Sequence, residues 1–197
     1  MNPIVSISAT SRPDNFTARA LAVINAELSE LVGPLLVFDG REMSLSFPGH
    51  GVTEDARRLQ AAIADAPGVV IATPEYHGGF SAMAKLVIEN LGFPSILAGK
   101  PVALMGVAAG RIGAIKSLEQ LRAVCSHVGG LVLPGSVSIA GVQGVFDNEG
   151  QCTDPGIEKA LRGLAGSLID YLDRHVCPLY TLESMVRDEG AKAAAAR

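Results

Sequence analysis

Cysteine is scarce in this 197-residue chain: Cys125, Cys152 and Cys177 stand far apart and are odd in number. Their spacing excludes a local C-x-x-C redox or zinc arrangement, so they read as reduced thiols filling small apolar positions. The four histidines are equally scattered, with no H-E-x-x-H or similar pair, and no metal site is expected. Charge is sparse as well. Twenty acidic against 16 basic residues leave a net charge of −4, which lays no electrostatic footprint for nucleic acid or an anionic membrane. No apolar run approaches the roughly 20 residues needed to span a bilayer. The opening MNPIVSISATSRP carries no basic region ahead of its apolar stretch, unlike a signal peptide, so a cytoplasmic protein is expected.

What is present is a hydrophobic content of 48% with 18% charged residues, the balance of one ordered domain with a sizeable core. Short apolar runs alternate with helical periodicity. IVSISA (4–9), LLVF (35–38), VVIAT (69–73), PVALMGV (101–107) and LVLPGSVSI (131–139) read as strands, the last interrupted by Pro134-Gly135. Between them, Phe16, Ala20, Ile24, Leu28 and Leu31 mark one helix. Val52, Ala56, Leu59 and Ile63 mark a second, with Thr53 placed to cap it. Helices are also expected over 82–91 and 112–128, and after Pro155, where Ile157, Leu161, Leu164 and Leu168 share a face. Uninterrupted Val/Ile/Leu strands alternating with helices imply an α/β fold: a five-stranded parallel sheet with helices on both faces. Two strand orders fit, the dinucleotide-binding 3-2-1-4-5-6 and the flavodoxin-like 2-1-3-4-5, and both place a ligand at the carboxyl ends of the strands. The tail EGAKAAAAR (189–197) is expected to be disordered.

The loops after the first, third and fourth strands therefore carry the function. The first, SATSRPDNFT (8–17), has neither G-x-G-x-x-G nor a P-loop. It offers the hydroxyls of Ser8, Thr10, Ser11 and Thr17, the amide of Asn15 and the cation of Arg12 just ahead of a helix N-terminus, an arrangement suited to a phosphate. The loop after the third strand, PEYHGGF (74–80), pairs the flat Tyr76 with Gly78-Gly79. In the loop after the fourth strand, Gly110 and Gly113 let backbone N–H donors approach a flat ligand. Together they describe a phosphate cradle, a ring-stacking wall and a donor-rich edge: a site for a mononucleotide with a broad heterocycle.

These three motifs, S-x-T-x-R-x-x-N-x-T at 8–17, P-E-Y-H-G-G at 74–79 with Lys85 following, and G-R-I-G at 110–113 leading into LEQLR, resemble those of the NADPH-dependent FMN reductase family of flavodoxin-like proteins. The resemblance runs from Ile4 to about Leu172 and implies the order 2-1-3-4-5. It implies that Thr10, Arg12, Asn15 and Thr17 hold the FMN phosphate, with Ser8 and Phe16 also binding the cofactor. It sets Pro74, Glu75, Tyr76, His77 and Gly78 against the isoalloxazine, with Gly110, Arg111 and Gly113 along the pyrimidine edge. His77 stands where the family more often has Asn, Gly79-Phe80-Ser81-Ala82 replaces the usual polar, apolar, Pro and Gly residues, and Ala109 and Ala114 replace a Pro and a Gly.

The implied activity is hydride transfer from NAD(P)H through FMN to a flavin, quinone or other small acceptor, by a ping-pong sequence in one pocket. No protein nucleophile is required, and His77 is a candidate proton donor. NADPH is expected over NADH, since Arg12 and Arg111 at the mouth could meet a 2′-phosphate. The alternatives are a non-catalytic flavodoxin-type electron carrier and a flavin-binding module without activity. The apolar surplus on 82–91 and 112–128, together with the resemblance, implies a homodimer or homotetramer with Glu75 or Phe80 near the subunit boundary.

Overall fold

In the computed structural model, which describes residues 2–179, the apolar runs assemble into a largely parallel sheet. In chain order the elements are β1 (Val5–Ser8), α1 (Phe16–Val32), β2 (Leu36–Asp39), α2 (Glu54–Asp65), β3 (Val69–Tyr76) and β4 (Gly79–Phe80). They continue with α3 (Ala82–Glu89), β5 (Pro101–Val107), α4 (Ile115–His127), β6 (Leu131–Val132), β7 (Val137–Ile139) and α5 (Pro155–Tyr171). The tail expected to be disordered lies outside the described residues.

The sheet order is β2-β1-β3-β5-β6, with β7 also pairing β5 and β4 folding back on β3. Counting β6 and β7 as one interrupted strand, this is the flavodoxin-like order. Leu131 and Val132 align with Pro101 and Val102, whereas Val137–Ile139 align with Met105–Val107. Pro134 cannot donate to a ladder, and Gly135 at φ 79° turns the chain out of it. The Arg122 guanidinium of α4 spans the break, donating to the carbonyls of Val132 and Leu133 and to Ser136 Oγ at 2.9–3.1 Å.

Strand alternation explains the near-continuous apolar runs. Val70, Ala72, Ala103 and Met105 pack beneath α1 and α5, while Val69, Ile71, Val102 and Leu104 pack beneath α2, α3 and α4. The helices start where the sequence supplies caps: Asn15, Thr53, Ser81 and Asp154 each accept from a backbone N–H of the first turn, a contact worth about 1 kcal/mol apiece. Helix α4 has no such cap of its own.

Several boundaries differ from the sequence expectation. Val52 precedes α2, and Leu31, though inside α1, is exposed. Helix α4 begins at Ile115, because Gly113 at φ 77° cannot sit in a right-handed helix. Ile112 thus belongs to the preceding loop, 72% exposed. The apolar surplus assigned to 82–91 is mostly absorbed within the chain: Val87, Ile88 and Leu91 are buried and Met83 packs against the same cluster. Exposed apolar side chains remain at Phe93, Ile112 and Ile115. Among the described residues no helix is long and apolar enough to cross a membrane.

Candidate functional site

The carboxyl ends of β1, β3, β5 and β7 bring four loops to one edge of the sheet. The β1 loop is braced from within. Asn15 Oδ1 accepts from Ala18 N–H at 2.7 Å and its Nδ2 donates to the Arg12 carbonyl at 2.8 Å, so this side chain is spent on holding the turn. The N–H groups of Phe16 and Thr17, in the first turn of α1, have no acceptor among the described residues. They leave the positive end of a 17-residue helix open to an anion. Thr10 is fully buried and its Oγ1 accepts from Arg12 N–H at 3.3 Å. Ser8 Oγ lies beneath the loop, buried and without a partner, on the α1 side of the sheet where Ser6 Oγ donates to Asn25. It is the one orphaned buried side-chain polar atom among the described residues.

Beyond Thr73 the β3 strand continues to Tyr76 and turns back as a hairpin, with Glu75 opposite Phe80 and Tyr76 opposite Gly79. The two turn residues, His77 and Gly78, both have positive φ, 52° and 76°. That is the type I′ geometry whose twist matches a hairpin, and Asn suits its first position because it tolerates the left-handed region. His77 therefore occupies an exposed turn tip.

The hairpin is fastened to α4 at two points. Gln120 Nε2 donates to the Gly78 carbonyl at 3.0 Å. Glu75 Oε2 accepts from Ser117 N–H at 3.1 Å, so a carboxylate 42 residues away supplies the cap that α4 lacks and meets the positive end of its dipole. At the hairpin's other end, Ser81 N–H donates to Thr73 Oγ1 and Ser81 Oγ to the Ala9 carbonyl, tying the exits of β1 and β3 together.

In the β5 loop, Gly113 N–H is used internally, donating to the Gly110 carbonyl at 3.2 Å. Ala114 N–H donates to Ser138 Oγ of β7 at 2.8 Å. The donors without an acceptor are instead the N–H groups of Ala109, Gly110, Arg111 and Ile112. The edge expected at Gly110 and Gly113 is thus shifted toward the start of the loop, and Gly113 serves packing against Ser138.

A cleft of about 300 Å³ opens between these loops. At one end it is lined by Arg12, Asp14, Asn15, Phe16 and Thr17, and along a wall by Pro74, Glu75 and Tyr76. The Arg12 guanidinium lies over the Tyr76 ring, 4.9 Å from its centroid, joining the anion end to the flat wall. Ser8 and Thr10 sit beneath the loop rather than in the lining, and His77, Gly78, Gly110, Arg111 and Gly113 lie outside it. The opposite wall comes from Val107, Ala108 and Ala109 and from Val142 and Gln143, a segment sequence reasoning passed over. The signal was topological: the loop after the last strand ends at the same carboxyl edge. These features fit FMN: unspent helix amides and a cation for its phosphate, an aromatic wall for its ring, and free N–H donors for the ring edge.

Known proteins resemble this chain in sequence and in fold. Residues 3–144 match the profile of the family described as NADPH-dependent FMN reductase. An NADPH azoreductase of Bacillus sp. (strain OY1-2) is 32% identical over 119 residues, covering 60% of this chain and 66% of that protein. A 2-hydroxy-1,4-benzoquinone reductase of Burkholderia sp. is 36% identical over 78 residues, 38% of this chain and 43% of that one. The chain thus spans less than two thirds of the length of these curated relatives. The solved structure of FerB, a flavoenzyme NAD(P)H:(acceptor) oxidoreductase from Paracoccus denitrificans, shares the fold. Its TM-score is 0.71 at 23% identity, over 89% of this chain and 99% of that one.

Proposed function

The chain belongs to the NADPH-dependent FMN reductase family, and on that premise we propose that it is a flavin-dependent oxidoreductase moving a hydride from NAD(P)H through FMN to a quinone, azo compound or other small acceptor. The observation that carries this reading is the cleft itself, in which the unspent amides of Phe16 and Thr17, the Arg12 cation and the Tyr76 face line one continuous space. When bound, FMN supplies a two-electron relay between the nicotinamide and the acceptor. The chain's own residues do the rest. The α1 amides and Arg12 hold the phosphate, Pro74 and Tyr76 bound the ring, and the N–H of Ala109, which lines the cleft, offers a donor where negative charge gathers on the ring edge.

Donor and acceptor take turns in the same opening, a ping-pong sequence. Arg12 and Arg111, both exposed beside it, favour NADPH over NADH. Exposed Ile112 and Ile115 flank the cleft and support a homodimer or a dimer of dimers, with Glu75 or Phe80 near the boundary.

Fluorescence titration with FMN tests the phosphate assignment. Arg12→Ala removes a charge-assisted contact worth roughly 1.5–3 kcal/mol, so affinity should fall about ten- to a hundredfold. An unchanged dissociation constant would remove the assignment. Sustained NADPH consumption by the purified protein with FMN and a quinone marks the enzyme; FMN binding without turnover marks an electron carrier.

A further inference from the structure

The 3-10 turn Val142–Gly144 after β7 is built as a rigid platform. Gly141, in the left-handed region at φ 53°, donates its N–H to the Gly110 carbonyl, and Val142 N–H donates to the Ala108 carbonyl at 3.1 Å. The Val142 side chain is buried in the core beneath α1 and α5. Next along the chain, Phe146 lies against Phe16 with ring centroids 6.3 Å apart, which sets the segment beside the first turn of α1.

On this platform stands Gln143. It lines the cleft and is exposed, and its carboxamide makes no hydrogen bond among the described residues. A Gln on the surface is ordinarily solvated. This one follows two residues whose N–H groups are bonded to the exit of β5 and its loop, so the backbone that presents it is anchored. Its position follows from those anchors: Ala108 at the end of β5 on one side, Phe16 at the start of α1 on the other, and Tyr76 across the cleft. Gln143 thus lines the cleft on the wall opposite the Arg12–Tyr76 pair.

Resting on the FMN reading above, we propose that Gln143 is a ligand-binding residue that hydrogen-bonds the polyol chain joining phosphate and ring, making the loop after β7 a fourth contact loop. A carboxamide offers two donors and an acceptor, the complement of vicinal hydroxyls that each donate and accept. The phosphate already has the α1 amides and Arg12, and a ring face calls for an apolar or aromatic side chain such as Tyr76, which leaves the polyol to Gln143.

The test compares wild type with Gln143→Ala and Gln143→Leu, using FMN by direct fluorescence titration and, by competition, riboflavin, which keeps the polyol but lacks the phosphate, and lumiflavin, which lacks both and should lose no affinity. An equal loss for lumiflavin overturns the proposal by assigning Gln143 to the ring. One lost neutral hydrogen bond corresponds to a loss of about 2- to 12-fold, expected equally for FMN and riboflavin. The melting temperature without flavin should not move, because the side chain has no partner in the protein. Unchanged FMN affinity in both variants overturns the proposal. A loss confined to FMN overturns it too, by assigning Gln143 to the phosphate, and a lowered melting temperature makes the residue structural. If the wild-type protein binds no flavin, the parent reading itself fails, a result distinct from flavin binding that ignores Gln143.

Discussion

Replacing Gly113 by Ala tests how the β5 loop is held. At φ 77° a side chain costs about 1–2 kcal/mol of backbone strain. An added Cβ would also fall 2.6 Å from Ser138 Oγ, inside any real contact distance. Ser138 can relieve the clash only by rotating its hydroxyl away, and that hydroxyl accepts from Ala114 N–H. Ala114 is fully buried, and a buried amide stripped of its acceptor costs about 1–3 kcal/mol. The expected total for Gly113→Ala is about 2–5 kcal/mol, the sum of those two penalties. Ser138→Ala alone incurs only the orphaned amide. Because both single changes lose that same hydrogen bond, the double variant should be no less stable than Gly113→Ala by itself. Urea denaturation of the four proteins at 25 °C, with unchanged slopes, measures this. If the double variant shows the sum of the two single losses, the hydroxyl clash is not what Gly113 avoids.

Four other outcomes can be measured. Burial pushes the Cys125 thiol up from an ordinary 9.0 to about 12, against a lowering pull from Arg122; iodoacetamide at neutral pH should label Cys152 and spare Cys125 until urea is added. The folded state favours the protonated thiol, so the stability it contributes is intact below about pH 9 and drains as the pH climbs toward 12; Cys125→Ala should flatten that alkaline decline. His77→Asn should keep the hairpin, change stability by no more than a few tenths of a kcal/mol (about one Asn-for-His exchange in a left-handed turn) and leave turnover and its pH profile intact; a collapse of turnover with FMN binding preserved would restore His77 as a proton donor. Light scattering at micromolar concentration should give a multiple of 20.4 kDa, and a monodisperse mass at that value with full activity would remove the proposed dimer.

The strands were legible because β1, β3 and β5 are buried on both faces and so write themselves as unbroken apolar runs, whereas their order came from the resemblance; the cap at Thr53 is local chemistry. The hairpin was not, since β4 is two residues long and its turn is His-Gly instead of Asn-Gly. The end of the β5 loop was misread because Ile112, Ile115 and Leu118 keep helical spacing straight through a glycine whose positive φ forbids the helix. Glu75 capping α4 and Gln143 facing the cleft both depend on contacts between distant segments, which periodicity along one segment cannot register. Asn15 shows the converse: its motif position was right, yet its side chain is consumed by the turn, and the helix amides behind it are the free groups.

The bonds from Gly141 to Gly110 and from Val142 to Ala108 have a kinetic meaning. They weld the exits of β5 and β7 into a single backing plate, so a ligand entering the cleft has little main chain to rearrange on that side. Encounter with such a surface requires orientation but no folding step, and flat heterocycles of similar charge should arrive at similar rates. Discrimination among them then falls on how long each stays, set by whether its polar atoms meet donors that cannot move to accommodate a poor match.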